Sequence, residues 1–543
     1  MFPTNISLSE KGMTTFFDGT PPFYLVVPVF VVTALFLIAL KRRPNLPPSP
    51  KALPVLGHLH LLRPLIHHSF RDFAARHGPL FSLRLGSVLC VVASTPDLAR
   101  ELLKTHELTF AARKHNAAID HLTYQSAFAF APYGPYWKFI KKLSQTELLG
   151  ARTLHQFLPI RNGELQHFIR VLHDKSLSSE SVNVTQELVK LANNIISQMM
   201  LSIRSSGVDS QADEARTLIR EVTQIFGEFN VSDFIWFCKH VDFQGYKKRF
   251  EDIHKRYDAL LEKIIRDREE LRRKKRVPRA DEVKDFLDMM LDIYEDENSE
   301  MKLTREHIKA LVLDIFTAGT DTSATSIEWA LAELINNPTV LKKAREEISS
   351  VVGDHRLVNE SDVKSMPYIQ AIIKEALRLH PPIPMVARKS VQECRIGGYT
   401  IPEDTLLFVN IWAIARDPKV WANPLQFSPE RFLEPANGNL TGNIDVKGQH
   451  FELLPFGSGR RGCPGISLAM LELPTVLAAM IQCFDWKPCD QAGQEVKAVN
   501  MDERPGLTCP RAMNCFACLC RVWAPYRSWQ LVIQRVSRWP NMP

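Results

Sequence analysis

The sequence predicts a mainly α protein: a large helical domain, a small β-rich region and one N-terminal transmembrane helix. Three observations predict it. Helical hydrophobic spacing dominates the 543 residues, strand-like alternation is confined to short stretches, and one uncharged apolar run lies near the start. With 45% hydrophobic residues the chain can bury a large core, and its length allows two to four domains.

The apolar run is FYLVVPVFVVTALFLIAL, Phe23 to Leu40, followed at once by Lys41, Arg42 and Arg43. Eighteen residues in a helix rise about 27 Å, enough to cross the hydrocarbon layer, and Pro28 is positioned to kink it. A secretory signal would show a small-residue cleavage site. Here a basic cluster follows instead and holds that end in the cytosol. Residues 1–22 then form a short luminal segment, with Asn5 in a glycosylation sequon, and 23–40 a signal anchor. Nearly everything after residue 41 is cytosolic, where the 10 cysteines stay reduced. Residues 41–57, RRPNLPPSPKALPVLG after Lys41, read as a basic, proline-rich and stiff hinge. The net charge of +7 is spread without a dense aromatic–basic tract. That argues against nucleic acid and for an acidic protein partner or an anionic lipid surface.

Within the body, LFSLRLG and VLCVVAS around Gly86-Ser87 predict a strand hairpin between Leu80 and Ser94. The charged stretch Arg266–Lys284 reads as a solvated helix and loop. Leu303 to Asn337 predicts a helix of about 50 Å. Its centre, AGTDTS, is unusual, because glycine weakens a helix and hydroxyls compete for backbone carbonyls. Such a stretch is expected to open or bend the ladder. PTVLKKAREEISSVVG starts a helix at Pro338 and ends it at Gly353, and MPYIQAIIKEALRLH makes another that Pro381 and Pro382 stop.

LLPFGSGRRGCPGISLAM, residues 453–470, places Cys463 among glycines and arginines at the mouth of a helix. One cysteine cannot build a zinc or iron–sulfur site, but one thiolate suffices as the axial ligand of a heme iron. Gly457, Gly459 and Gly462 allow backbone to approach a flat macrocycle. The helix after Pro464 directs its positive end at the sulfur. Arg461 offers a fork to a propionate, and Phe456 can cover the sulfur.

FGSGRRGCPG resembles the heme-binding loop of the cytochrome P-450 family at every defining position, through Gly465. The resemblance runs from about Leu46 to Pro510 and implies the cytochrome P-450 fold for residues 58–512, with heme b bound through Cys463. It implies a structural charge network of Glu375 and Arg378 in KEALR with Arg431 in PERF. It places Arg388 as a second propionate-binding arginine. It makes Trp137 and Lys141 the counterpart of a Trp-x-x-x-Arg motif, with lysine replacing arginine's bidentate fork by a point charge. AGTDT then supplies Asp321 and Thr322 as an acid–alcohol pair that relays protons. No flavin or nicotinamide fingerprint is visible, so the resemblance implies NADPH–cytochrome P-450 reductase as electron donor, with Lys138, Lys141 and Lys142 as its dock.

The aromatic segments SAFAFAPYGPYW (126–137) and IFGEFNVSDFIWF (225–237) suit a flat ligand or a packed core. Phe226 to Ile265, FELLPFGSGRRGCPG and MDERPGLT resemble the plant microsomal flavone synthase II and flavanone 2-hydroxylase branch. That likeness implies oxidation of flavanones such as naringenin to flavones such as apigenin with NADPH and O2, in the endoplasmic reticulum membrane; isoflavonoid or pterocarpan hydroxylation is the neighbouring reading. After MDERPGLT the chain departs from the family's usual terminal strand pair. Residues 513–543 form a divergent tail, expected to reflect a reading-frame or splicing difference, and Cys509, Cys515, Cys518 and Cys520 crowd its approach without a histidine partner for zinc. If the tail damages one wall of the pocket, an inactive heme-binding protein is the remaining reading.

Overall fold

The computed structural model describes residues 45–521 apart from 179, 205–209, 241, 275–282, 354 and 434–443. The expected anchor at 23–40, its luminal flank with Asn5, the basic cluster 41–43 and residues 522–543 lie outside the described residues. From Pro47 onward the described chain belongs to one unit. In chain order its principal helices are α1 (Ile66–His77), α2 (Pro135–Leu143), α3 (Leu158–Leu177), α4 (Val184–Leu201) and α5 (Tyr246–Lys274). They continue with α6 (Phe286–Glu295), α7 (Arg305–Asn336), α8 (Pro338–Val352), α9 (Pro367–Leu379) and α10 (Ile466–Cys483). The strands of its two larger sheets are β1 (Leu80–Leu85), β2 (Val88–Ala93), β3 (Val182–Asn183), β4 (Val386–Lys389), β5 (Leu406–Val409), β6 (Phe484–Cys489) and β7 (Phe516–Arg521), and Cys394–Ile396 pairs with Tyr399–Ile401 in a small third sheet.

The axis of the body is α7, which packs along α4 and touches α9 and α10. Thr304 begins it with a capping box, each of Thr304 and His307 bonding the other's backbone N–H at 3.2 Å. Pro338 then opens α8 as expected. The AGTDTS stretch does not interrupt α7, which is helical throughout. The Thr322 hydroxyl donates to Ala318 O at 2.6 Å and Ser326 to Thr322 O at 2.8 Å, so the hydroxyls supplement the ladder rather than break it. Gly319 has a packing reason: a Cβ there would stand 2.8 Å from the Ile196 Cδ1 of α4.

The expected hairpin forms as β1 and β2, pairing Leu80 with Ala93 through Leu85 with Val88. It continues as β1-β2-β5-β4. Ser82 ties the proline-rich segment to this sheet, donating its N–H to Pro48 O and its hydroxyl to Pro47 O, both at 2.8 Å. A second sheet has the order β3-β7-β6, so Phe516–Arg521, at the start of the divergent tail, pairs on both sides. Cys515, Ala517 and Leu519 turn inward into the main core. The charged stretch begins on α5, where Arg268 and Arg272 reach the acids of α6, Asp285 at 2.6 Å and Asp292 at 2.6 Å.

Among the described residues one helix, α10, is long and apolar enough to cross a membrane. Its position, 466–483, is not N-terminal, and 72% of its apolar window is buried inside the protein. Burial against α7, α8 and α9 accounts for its composition.

At the end of α9, Glu375 and Arg378 are fully buried. The pair is bidentate at 2.7 and 2.8 Å, and Arg431 joins Glu375 at 2.9 Å. Ser428 N–H completes the carboxylate's shell at 2.9 Å, while Arg378 also donates to Ala415 O and Pro424 O. Every ion is satisfied, which is the condition for keeping charge in a core. Removing the carboxylate in Glu375→Ala strands two guanidinium groups and should destabilise the protein by about 3–5 kcal/mol in denaturant titrations. A second buried acid, Glu472 on α10, is raised to about 7 by burial, with Arg161 opposing and Glu360 adding to the rise. The folded state therefore holds a proton that the unfolded state has lost between its ordinary pKa of 4.5 and about 7, and stability falls as pH rises through that window. Glu472→Gln should flatten this slope, gaining at most roughly 3 kcal/mol near pH 8 in pH-resolved melts.

Candidate active site

The Cys463 loop is closed by its own backbone. Cys463 N–H donates to Phe456 O and Gly462 N–H to Gly459 O, each at 2.9 Å. Gly457 and Gly459 adopt φ of +69° and +68°, where a side chain is strained. A Cβ on Gly459 would also lie 2.5 Å from Leu103 O. Gly459 thus serves the turn and its seat against Leu103, and Gly457 serves the turn. Gly465 caps α10 and directs its N–H at the Cys463 sulfur. Cys463 keeps accessible surface, yet protein surrounds it so closely that burial raises its thiol pKa against Gly465 N–H, Lys141 and Arg113. A residue bordering an internal recess has both properties. The middle of α7 shows a similar signature: Ala318 is exposed, and Asp314, Thr317, Asp321 and Thr322 half-buried, in an otherwise buried helix.

Cations gather around this loop. Arg461 stacks 4.5 Å from the Trp137 ring and donates to Ala111 O at 2.8 Å and Ala131 O at 2.5 Å. Its fork is therefore largely used by the protein, and Nη1 alone stays buried without a partner. Arg388 reaches Ala387 O at 2.9 Å and Arg461 O at 3.4 Å. Lys141 donates to Gly462 O at 2.7 Å. Burial pulls its pKa down to about 8, with the Cys463 sulfur opposing. It faces inward, so of the three lysines expected on a docking face only Lys138 and Lys142 are exposed.

Sequence reasoning missed Arg113, whose Nε is buried and unbonded and whose neighbours include both Asp314 and Cys463. Nothing in FAARKH marks it beforehand. It also missed Asp314, although an acid in the apolar run LVLDIF is a readable anomaly. Asp314 accepts the backbone N–H groups of Phe128 and Ala129, and burial raises its carboxyl to about 7. It thereby fastens the aromatic segment 126–131 to α7.

Arg113, Arg388, Arg461 and Lys141 lower or mutually crowd one another's charge. Their spare, buried N–H groups fit a ligand that brings its own carboxylates, and the single thiol fits an axial metal ligand. Both are properties of heme b. Cys463, Phe456, Gly457, Gly465, Arg461, Arg388, Trp137 and Lys141 are thus brought together. Asp321 and Thr322 sit on α7, and among the described residues no hydrogen bond or ion pair joins them to the cysteine loop. Burial raises the Asp321 carboxyl, with Arg220 and Arg504 opposing.

The family profile "Cytochrome P450" matches residues 47–512. The chain is 61% identical over 495 residues to Cytochrome P450 93B2 of Gerbera hybrida, covering 90% of this chain and 95% of that protein. It is 50% identical to the 3,9-dihydroxypterocarpan 6A-monooxygenase of Glycine max, covering 89% and 94%. A solved zebra fish cytochrome P450 with progesterone superposes with a TM-score of 0.69 at 26% identity, covering 84% of this chain and 99% of that one.

The Asp314 tether gives a direct test by hydrogen exchange. Asp314→Ala should speed exchange at the Phe128 and Ala129 amides by an order of magnitude or more, whereas Asp314→Asn, which keeps an acceptor, should leave them protected.

Proposed function

The chain belongs to the cytochrome P450 family and is an oxidoreductase of monooxygenase type, and we propose that it oxidises flavanones such as naringenin to flavones such as apigenin. One flavanone, one O2 and one NADPH with a proton give one flavone, two waters and NADP+. The observation that carries the cofactor reading is the cation set with unbonded N–H groups around one thiol. The flavanone reading rests on the resemblance of Phe226–Ile265 and the terminal motifs, and on the similarity to a dihydroxypterocarpan monooxygenase.

Cys463 would hold heme b, with Arg461, Arg388, Arg113 and Lys141 on its carboxylates and Trp137 behind Arg461. Bound through a thiolate, heme lets dioxygen attack an unactivated C–H bond once two electrons and two protons arrive. The chain's own share is position and proton supply. Burial favours the protonated form of the Asp321 carboxyl, and the Thr322 hydroxyl hands a proton on when it turns from Ala318 O. Asp314 keeps the Phe128 segment in place as a wall for a flat substrate. Electrons come from NADPH–cytochrome P-450 reductase, docking on exposed Lys138 and Lys142. Residues 23–40 anchor the protein once in the endoplasmic reticulum membrane with the catalytic domain, 58–512, in the cytosol.

Microsomes carrying the full chain, a plant reductase and NADPH should turn naringenin into apigenin. Release of 2-hydroxynaringenin as end product would reassign the reaction to flavanone 2-hydroxylation, and no product beside a normal reduced carbon monoxide spectrum would reject the flavanone reading. Thr322→Ala should keep that spectrum while NADPH consumed per product rises about tenfold or more.

A further inference from the structure

Three parts of the chain meet on one carboxylate outside the site above. His67 and His68 lie in the first turn of α1, Trp412 in the short turn after β5, and Glu503 in the segment leading to β7. His67 Nε2 and His68 Nε2 lie 2.8 and 3.0 Å from the same oxygen, Glu503 Oε2. The other oxygen, Oε1, accepts the Trp412 indole N–H at 3.0 Å. The Cys509 thiol lies beside this carboxylate but outside the converging group. The ligating atoms of His67, His68 and Glu503 lie within 4.8 Å of one another, and among the described residues no other three His, Cys, Asp or Glu groups converge in this way.

The arrangement is held in advance. The two imidazoles meet edge to face at 4.6 Å, and His68 stacks on Trp412 at 4.4 Å, which fixes both rings with Nε2 pointing inward. Trp412 occupies Oε1 and leaves Oε2 to the histidines, the way an outer hydrogen bond orients a ligating carboxylate. His67 is 4% exposed at its side chain, Glu503 9% and His68 28%, so the cluster is enclosed with an opening on the His68 side. Two imidazoles and one carboxylate are a donor set for tetrahedral zinc, with the fourth position left to solvent.

Charge sets a condition. Arg416 stacks on Trp412 at 4.0 Å and acts on Glu503, and Arg71 lies 5.6 Å from the same ring. A dication entering beside these cations is met by the Glu503 carboxylate and by the solvent ligand, which carries the second charge as hydroxide. Each imidazole keeps its proton by moving it from Nε2 to Nδ1.

We propose that His67, His68 and Glu503 form a zinc-binding site that staples α1 to the chain segment running from Glu503 to β7. That segment also holds α7, through the Trp329 indole N–H on Cys509 O at 3.0 Å and the Arg511–Glu328 ion pair at 3.5 Å. Occupancy would thus bear on how firmly the C-terminal segment is held to the central helix.

The test uses the tag-free, heme-loaded full chain, stripped with EDTA, mixed with Zn2+ against a zinc-chelating dye and analysed for metal after gel filtration. One zinc per chain and a rise in Tm are expected. His68→Ala and Glu503→Gln should each weaken binding at least tenfold and abolish the Tm rise. Their reduced carbon monoxide spectra, matching the parent's, establish that both variants are folded. Failure of the parent to retain zinc, or equal retention by both folded variants, overturns the site and leaves a hydrogen-bonded latch. Neither result depends on which substrate the enzyme oxidises.

Discussion

A buried guanidinium must find an anion or a set of carbonyls, and this fold answers that demand in two opposite ways. Around Glu375 the answer is internal. The carboxylate receives Arg378 and Arg431, their remaining N–H groups reach backbone carbonyls, and the network closes on itself. Around Cys463 the answer is left to a ligand. Arg113 and Arg461 retain buried N–H groups with no acceptor, and Arg388 and Lys141 add positive charge beside them. The first cluster gives the body a fixed frame near the end of α9, and the second gives that frame a place where two carboxylates and a metal are welcome.

The central helix keeps its continuity through the AGTDTS stretch. Hydroxyls that would compete with a helix instead bond back to carbonyls one turn earlier, and the glycine that would weaken it admits Ile196 from α4. The same helix carries Asp314, which holds the 126–131 segment, and two turns later Asp321 and Thr322. One rigid element therefore sets the positions of the 126–131 segment and of the Asp321–Thr322 pair together.

Much of this is legible in the sequence, and what is not has a common cause. Proline-opened helices, the Leu80–Ser94 hairpin and the cysteine loop are local patterns, and each lies where periodicity and turn chemistry put it. Arg113 is an ordinary arginine until folding brings it beside Cys463, and Lys141 looks solvent-facing until its contact with Gly462 O is known. Gly459 looks like room for a ligand, although backbone angle and Leu103 explain it. A membrane-length apolar helix exists at α10 because composition alone does not distinguish a lipid-facing helix from one enclosed by its neighbours. Signals carried by one segment are readable, and signals carried by two segments meeting are not.

The divergent end of the chain occupies a central place in its sheet. β7 lies between β3 and β6, pairing with β6 along its length and with β3 at Phe516 and Ala517, while Ala517 and Leu519, with Cys515 just before them, face the core. A sheet position of this kind is undemanding about sequence: small or apolar residues at alternate positions fill it, whatever their origin. It is demanding about presence. A polypeptide stopping before Phe516 would turn one interior strand position into two open edges, each offering unpaired amides and carbonyls to another molecule. Evolution at this terminus is therefore freer to exchange letters than to shorten the word, and self-association would be the first symptom of a version cut too early.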